Sequence, residues 1–198
     1  MGRTRSFAEV DVARAARGVF WSRGYEDTSL PDLEEATGLN RSSIYHSFTS
    51  KRGLFDAAVE SYLDDVVRPR LAPLRAPEVA PDALEAYLQG LRQAMVDNKT
   101  ALAKNGCLLL NATGSSLGHE AALLAVVTRY CDDLRAAVAS GVAARRPELG
   151  RGAADMLTTT VTGLVFASMA IVRVDGAAAA ATLDAALAAV AAVVAGSS

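Results

Sequence analysis

Only two cysteines, Cys107 and Cys131, occur in 198 residues, and neither belongs to a CxxC pair. That excludes a disulfide-stapled scaffold. Histidine is as scarce, with His46 and His119 alone, so no spacing suits a zinc ion and neither a metal nor a cofactor is expected. The opening MGRTRSFAEV lacks the apolar stretch of a secretion signal, which points to a cytoplasmic protein. On that reading the sequons Asn98-Lys99-Thr100 and Asn111-Ala112-Thr113 carry no glycan. Strand signals are missing too: there is no sustained alternation of β-branched and polar residues and no Asn-Gly hairpin turn. Positive charge is not in excess either, since the net charge is −2.

Apolar residues are abundant, at 51% of the chain, and alanine supplies much of that share. Alanine is the strongest helix former, so an all-α fold follows. The length allows one ordinary domain or two small ones. The bases of the first 65 residues gather at Arg3 and Arg5 and again between Arg41 and Arg52. The acids concentrate on Asp32–Glu35 and towards Asp64-Asp65. This is a local basic face on an acidic body, and the distribution of charge matters more than its total for phosphate contacts.

Ser6-Phe7-Ala8-Glu9 has the form of a capping box and predicts a helix to about Arg23, with Arg3 and Arg5 on an arm ahead of it. Val12, Ala13, Ala16, Val19 and Phe20 form its apolar stripe. Gly24 stops it. From Thr28 to Arg52 two short helices are expected, joined by a tight turn and followed at once by a third. Ser29 is placed to N-cap the first, with Pro31 in its opening turn and Asp32 three residues on. Leu30, Leu33 and Ala36 share its inward face, and Gly38 ends it. Asn40 caps the second helix, on which Ile44 and Phe48 face inward while Tyr45 and His46 turn out. Such a pair is a helix-turn-helix, whose second helix enters the major groove and meets base edges mainly through its N-terminal residues.

Thr28, Gly38-Leu39, Ile44-Tyr45-His46, Phe48 and Ser50-Lys51 stand at the spacing of the TetR family of transcriptional regulators, and the chain resembles that family from about Val12 to Val59. Phe20, Gly24-Tyr25 and Leu54-Phe55 extend the resemblance. Glu34 and Thr37 depart from it, standing where the family more often has small apolar residues. The resemblance implies a helix-turn-helix DNA-binding domain over residues 1–50 and a ligand-binding and dimerisation domain over 51–198, with helix 51–67 linking them. It implies Thr28, Ser29, Arg41, Ser42, Ser43, Tyr45, His46 and Lys51 as DNA-contacting residues of a dimer on a palindromic operator in double-stranded DNA. Lys51 matches a phosphate-contacting lysine, and a helix N-terminus beside it attracts phosphate as well. By the same analogy the chain is a repressor released by a small effector, or an activator on the same fold.

Arg68-Pro69-Arg70 and the prolines at 73, 77 and 81 are expected to break the chain after that linking helix. Helices are then predicted near Asp82–Asn98, Leu102–Leu110, His119–Arg146, Gly152–Val174 and Ala177–Ala195. The last two are apolar enough to raise a transmembrane reading. The threonines at 158, 159, 160 and 162, Ser168, Arg173 and Asp184 make poor lipid-facing positions. A homodimer interface near 152–174 and 177–195 is the better reading: Gly163 and the alanines permit close approach, and Leu164, Phe166, Leu183, Leu187 and Val190 supply apolar area. Polar or aromatic side chains within apolar helices, namely Tyr62, Tyr87, Asn111, Tyr130 and Thr160, are the candidates for a pocket that suits a hydrophobic effector.

Two other chemistries have partial signatures in the sequence. Gly114-Ser115-Ser116-Leu117-Gly118 satisfies G-x-S-x-G, the pattern of a serine hydrolase with Ser116 as nucleophile. It lacks a preceding strand and any histidine downstream beyond the adjacent His119, so no catalytic residue and no enzyme are expected. Cys107 and Cys131 would suit a redox or electrophile sensor, against the plainer reading of two small buried hydrophobes. Lys104 is the one charge near Cys107, whereas Asp132 and Asp133 beside Cys131 disfavour its thiolate.

Overall fold

The computed structural model describes residues 2–97 and 99–192. Asn98 of the first sequon and residues 193–195 of the last expected helix lie outside them. No strand occurs among the described residues. The helices are α1 (Gly2–Arg23), α2 (Leu30–Thr37), α3 (Arg41–Phe48), α4 (Lys51–Tyr62), α5 (Arg68–Leu71), α6 (Ala83–Val96), α7 (Ala101–Asn105), α8 (Leu108–Thr113), α9 (Ala121–Arg145), α10 (Arg151–Ile171) and α11 (Gly176–Ala191). Short 3₁₀ turns cover Ala72–Arg75 and Ser116–His119. Two compact units emerge. One holds Met1–Pro69 with Cys107–Ala125, the other Arg70–Gly106 with Val126–Ser198.

In the first unit α1 and α4 pack along each other, α2 rests on α1, and α3 rests on α4. Ala13, Ala16, Phe20 and Trp21 of α1 close on Leu54, Phe55, Ala58, Val59 and Tyr62 of α4, all buried. Edge-to-face rings lock the seam: Phe20 on Phe55 at 5.2 Å, Trp21 on Tyr62 at 5.0 Å and Tyr25 on Phe55 at 5.3 Å. Such pairs add about 0.5–1.5 kcal/mol each beyond their buried area. Leu33 and Ile44, both fully buried, fasten the two short helices to this seam.

The structure departs from the expected elements in four places. α1 starts at Gly2, so Ser6 lies inside the helix rather than capping it, and Arg3 and Arg5 belong to its first turns rather than to an arm. Nothing between Gly2 and Ser6 breaks a helix, and propagation backwards adds a bond per residue fixed. The linking helix does not end near Val67. It widens into a π turn over Leu63–Val67 and continues as α5 through Pro69. Proline at 69 donates no hydrogen bond and crowds the carbonyl four residues back, and a wider turn just ahead accommodates both. The helix expected over 102–110 is cut at Gly106, which has a φ of +67°, and a Cβ there would sit 2.8 Å from the Met169 carbonyl oxygen. Ala36 is exposed, since the core needs only Leu33 and part of Leu30 from α2.

In the second unit α11 packs on both α6 and α10. Leu183, Ala186 and Val190 are fully buried there, as are Val161 and Val165 of α10. Ion pairs join Arg92 to Asp184 at 2.6 Å and Arg145 to Glu85 at 3.0 Å. Arg146, 9% exposed, donates to the Val190 carbonyl at 3.1 Å and pins the end of α11. α10 is long and apolar enough to cross a membrane by length and composition, but it lays its buried row on α11.

Candidate nucleic-acid interface

The turn between α2 and α3 is built by local hydrogen bonds. Ser29 and Asp32 form a reciprocal capping box: the Asp32 carboxylate accepts from the Ser29 amide at 2.8 Å, and Ser29 Oγ accepts from the Asp32 amide at 3.3 Å. Gly38 takes the left-handed conformation at φ +69° and hands the chain to Asn40, whose Oδ1 accepts from the Ser43 amide at 2.9 Å. The two departures from the family pattern both have work here. Thr37 Oγ1 donates to the Leu33 carbonyl at 2.6 Å and accepts from the Leu39 amide at 3.3 Å. The Glu34 carboxylate accepts from the backbone amide of Arg41, the first residue of α3.

With Ile44 turned fully inward, α3 presents Arg41, Ser42, Tyr45 and His46 to solvent, and Ser43 is half-buried. The Arg41 guanidinium lies over the Tyr45 ring, 5.5 Å from its centroid, so the pair one turn apart stacks. Lys51 is held separately: its ammonium sits 4.5 Å above the Tyr25 ring and donates to the Glu26 carbonyl at 3.5 Å. Ser29 is exposed at the start of α2. Thr28 is placed otherwise than a surface contact would be. It is 1% exposed, and its hydroxyl donates inward to the Gly24 carbonyl at 2.6 Å. Six of the eight candidates thus sit on α3 or at the first turn of α4. Sequence reasoning missed Glu34 and the Tyr25–Glu26 seat of Lys51, and for Glu34 the signal was the departure itself.

The joint from α3 to α4 is tight. Thr49 has a φ of +68°, and the Ser50 amide donates across it to the Phe48 carbonyl at 2.7 Å, which makes a strained γ-turn. Ser50 Oγ then accepts from the Gly53 amide at 3.0 Å and caps α4. A Cβ on Gly53 would meet the Phe48 oxygen at 2.0 Å, so this position has no room for a side chain.

Carboxylates brace the same unit. Asp65 accepts from Arg14 Nε and Arg17 Nη1, each at 2.8 Å, tying α1 to the π turn beyond α4. These two guanidiniums hold its carboxyl below the usual range. Hydrogen bonds from Ser29 do the same for Asp32, and hydrogen bonds from Ser116, whose amide lies 2.7 Å from Oε1, for Glu26. Arg52 is shared between Asp56 at 2.8 Å and Glu120.

The effector candidates divide between the units. Tyr62 is buried and donates to Cys107 Sγ at 3.6 Å, with half-buried Asn111 in the same unit. Tyr130 is buried and donates to Met169 Sδ at 3.6 Å in the other unit, where Tyr87 is half-buried. Thr160 is exposed on α10, so it faces away from that unit's core. Leu183 and Val190 are likewise corrected: the chain's own core already covers them, which removes them from an interface between subunits. Cys107 is fully buried and Cys131 half-buried. The Ser116 segment runs from α8 into a 3₁₀ turn with no strand before it, and a Cβ on Gly118 would stand 2.0 Å from the Thr113 oxygen. Its glycine answers a close backbone approach.

The sequence profile described as "Bacterial regulatory proteins, tetR family" matches residues 12–58, which holds α2, α3 and the joint. The chain is 32% identical over 142 residues to YezE of Bacillus subtilis, named an uncharacterized HTH-type transcriptional regulator, with 72% of each chain covered. It is 34% identical over 111 residues to the Escherichia coli HTH-type transcriptional repressor ComR, covering 56% of this chain and 51% of that one. A solved structure of a cysteine variant of CifR, a TetR family regulator complexed with 26-bp double-strand operator DNA, matches with a TM-score of 0.69. It is 28% identical and covers 90% of this chain and 94% of that one. The chain belongs to the TetR family of bacterial regulatory proteins, and it is an all-helical DNA-binding transcriptional regulator.

Proposed function

We propose that the chain is a homodimeric repressor that holds a palindromic operator through α3 and is released by a small hydrophobic effector. Residues 1–50 read the DNA, residues 51–198 bind the effector and dimerise, and the helix from Lys51 couples the two. The observation that carries the reading is the outward face of α3, where Arg41, Ser42, Tyr45 and His46 stand exposed while Ile44 anchors the helix from behind. Arg41 and Ser42 meet base edges; Tyr45, His46 and Lys51 meet phosphates, with Ser29 and Ser43 beside them. Thr28 serves by holding the turn before α2. Support for repression comes from ComR, which is named a repressor, and from CifR, which is solved on operator DNA. Such a regulator works in the cytoplasm, where its operator is, and needs no catalytic group. For the effector, Tyr62, Tyr87, Asn111 and Tyr130 are the residues to vary first, and an effector that releases DNA must bind the non-binding state more tightly.

Selection of bound sequences from random duplex DNA tests the operator-binding reading. A recovered palindrome with two equal half-sites is expected. Binding without sequence preference, or to a single unrepeated site, would overturn it.

A further inference from the structure

The first amides of α3 are nearly all spent. Ile44 donates to the Asn40 carbonyl at 3.0 Å, Ser43 to Asn40 Oδ1 at 2.9 Å and Arg41 to Glu34 Oε1, so Ser42 alone keeps an unused amide there among the described residues. Helix N-termini elsewhere take a phosphate at this place. Here a side-chain carboxylate already occupies it, and its charge opposes a phosphate at the same spot. The start of α3 therefore has little left to offer a phosphate. Glu34 is half-buried, and its second oxygen has no partner among the described residues. Beside it the exposed Arg41 guanidinium is steadied over Tyr45.

A carboxylate in the major groove needs a donor. Guanine offers N7 and O6 and thymine offers O4, all acceptors, while adenine sets N7 beside its amino group. Cytosine presents its N4 amino group with no acceptor beside it, and arginine takes guanine bidentately. We propose that Glu34 is a specificity-determining residue of operator recognition: its free carboxylate oxygen accepts from a cytosine amino group, next to the guanine that Arg41 reads. The inference rests on α3 being the base-reading helix.

The test is selection from random duplex DNA with full-length wild type, Glu34→Ala, Glu34→Gln and Arg41→Ala. The wild-type half-site should contain a cytosine adjacent to the guanine whose preference Arg41→Ala removes. Glu34→Ala should cut discrimination at that cytosine by about fivefold or more and leave the guanine. Glu34→Gln keeps an oxygen for the Arg41 amide, so α3 stays capped, and leaves only an NH2 donor facing the base, so the cytosine preference should be lost in favour of an acceptor edge, guanine or thymine. Thermal melting checks that each variant folds. Identical base preferences in wild type and both Glu34 variants, with lower affinity alone, would reduce Glu34 to a helix cap and overturn the proposal. A wild type that selects no sequence would overturn the base-reading role of α3 as well, and the two failures are told apart by the wild-type result.

Discussion

Thr49 and Gly53 show how much a single residue decides at the joint of α3 and α4. A β-branched residue at φ +68° costs about 1–2 kcal/mol, and Thr49 bears that cost to turn the chain within one residue. Glycine there relieves the strain but loses more chain entropy on folding, a difference of about 0.5–1 kcal/mol. Thr49→Gly should therefore stabilise the chain by about 0.5–1 kcal/mol, read as a higher urea midpoint at unchanged slope. Gly53→Ala is the sharper case, because glycine to alanine in a helix ordinarily gains about 1 kcal/mol. With the Phe48 oxygen 2.0 Å from the new Cβ, the sign should reverse to a loss of more than about 2 kcal/mol. A gain in stability would show that the joint is not built this way. Lys51 is the residue at which the proposed phosphate contact can be separated from packing. Its removal should weaken binding alike on every DNA sequence and lower the slope of affinity against salt by about one. An unchanged slope would take Lys51 off the phosphates and leave it the partner of Tyr25.

Between elements, the brace of Asp65 on Arg14 and Arg17 joins α1 to the far end of the linking helix, and its response to pH follows from the sign of its shift. The folded-state pKa of Asp65 is depressed, so the stability it adds is present above the unfolded value and is lost as pH falls through the folded value. Asp32 and Glu26 act in the same direction. Exposed pairs are worth little, about 0.5–1 kcal/mol after screening. Asp65→Asn should therefore melt about 1–4 °C below wild type at pH 7. The gap should begin to narrow below the unfolded carboxylate value of about 3.9 and close as pH falls through the lower folded value. A gap that stays constant down to pH 3 would assign the loss to packing instead. The elements themselves were legible to the extent that their signals are local. Ser29, Gly38 and Asn40 mark both ends of α2 and the start of α3 in the sequence because capping involves residues within four positions. The continuation through Pro69, the break at Gly106 and the exposure of Ala36 were not legible. Each depends on something distant in sequence or collective: a widened turn, the carbonyl of Met169, and a core already filled by Leu33. The candidate site divides in the same way. The outward turn of Tyr45 and His46 follows from Ile44, whereas the Glu34 cap and the ring under Lys51 join residues seven and twenty-six positions apart.

At the scale of the whole molecule the proposed dimer must hold two reading helices at a fixed spacing, and the surface of α10 and α11 bears on how it would do so. Their large side chains Val161, Val165, Leu183 and Val190 are buried within the chain. The outer row of α10 is Met156, Thr160, Gly163, Ala167 and Ala170, and that of α11 is Ala177, Ala181, Asp184, Ala185 and Ala188, all exposed. Rows of small residues permit close helix approach, so a four-helix contact between two copies is the proposed use of this face. Gly163 separates the alternatives well, because a Cβ added there meets nothing within 4 Å in the single chain. In a monomer Gly163→Glu would be harmless, and better helix propensity would favour it by a few tenths of a kcal/mol or more. In the proposed dimer it sets one bulky charge against another at the centre of the contact. The variant should then sediment as a folded monomer with wild-type helicity and bind a palindrome far more weakly. The loss arises because two half-sites held by one dimer gain from effective concentration, and separated chains do not. Sedimentation of the wild type as a monomer at micromolar concentration, still binding the palindrome tightly, would defeat the dimer reading outright. A Gly163→Glu protein that remains dimeric would move the interface to another face of the chain.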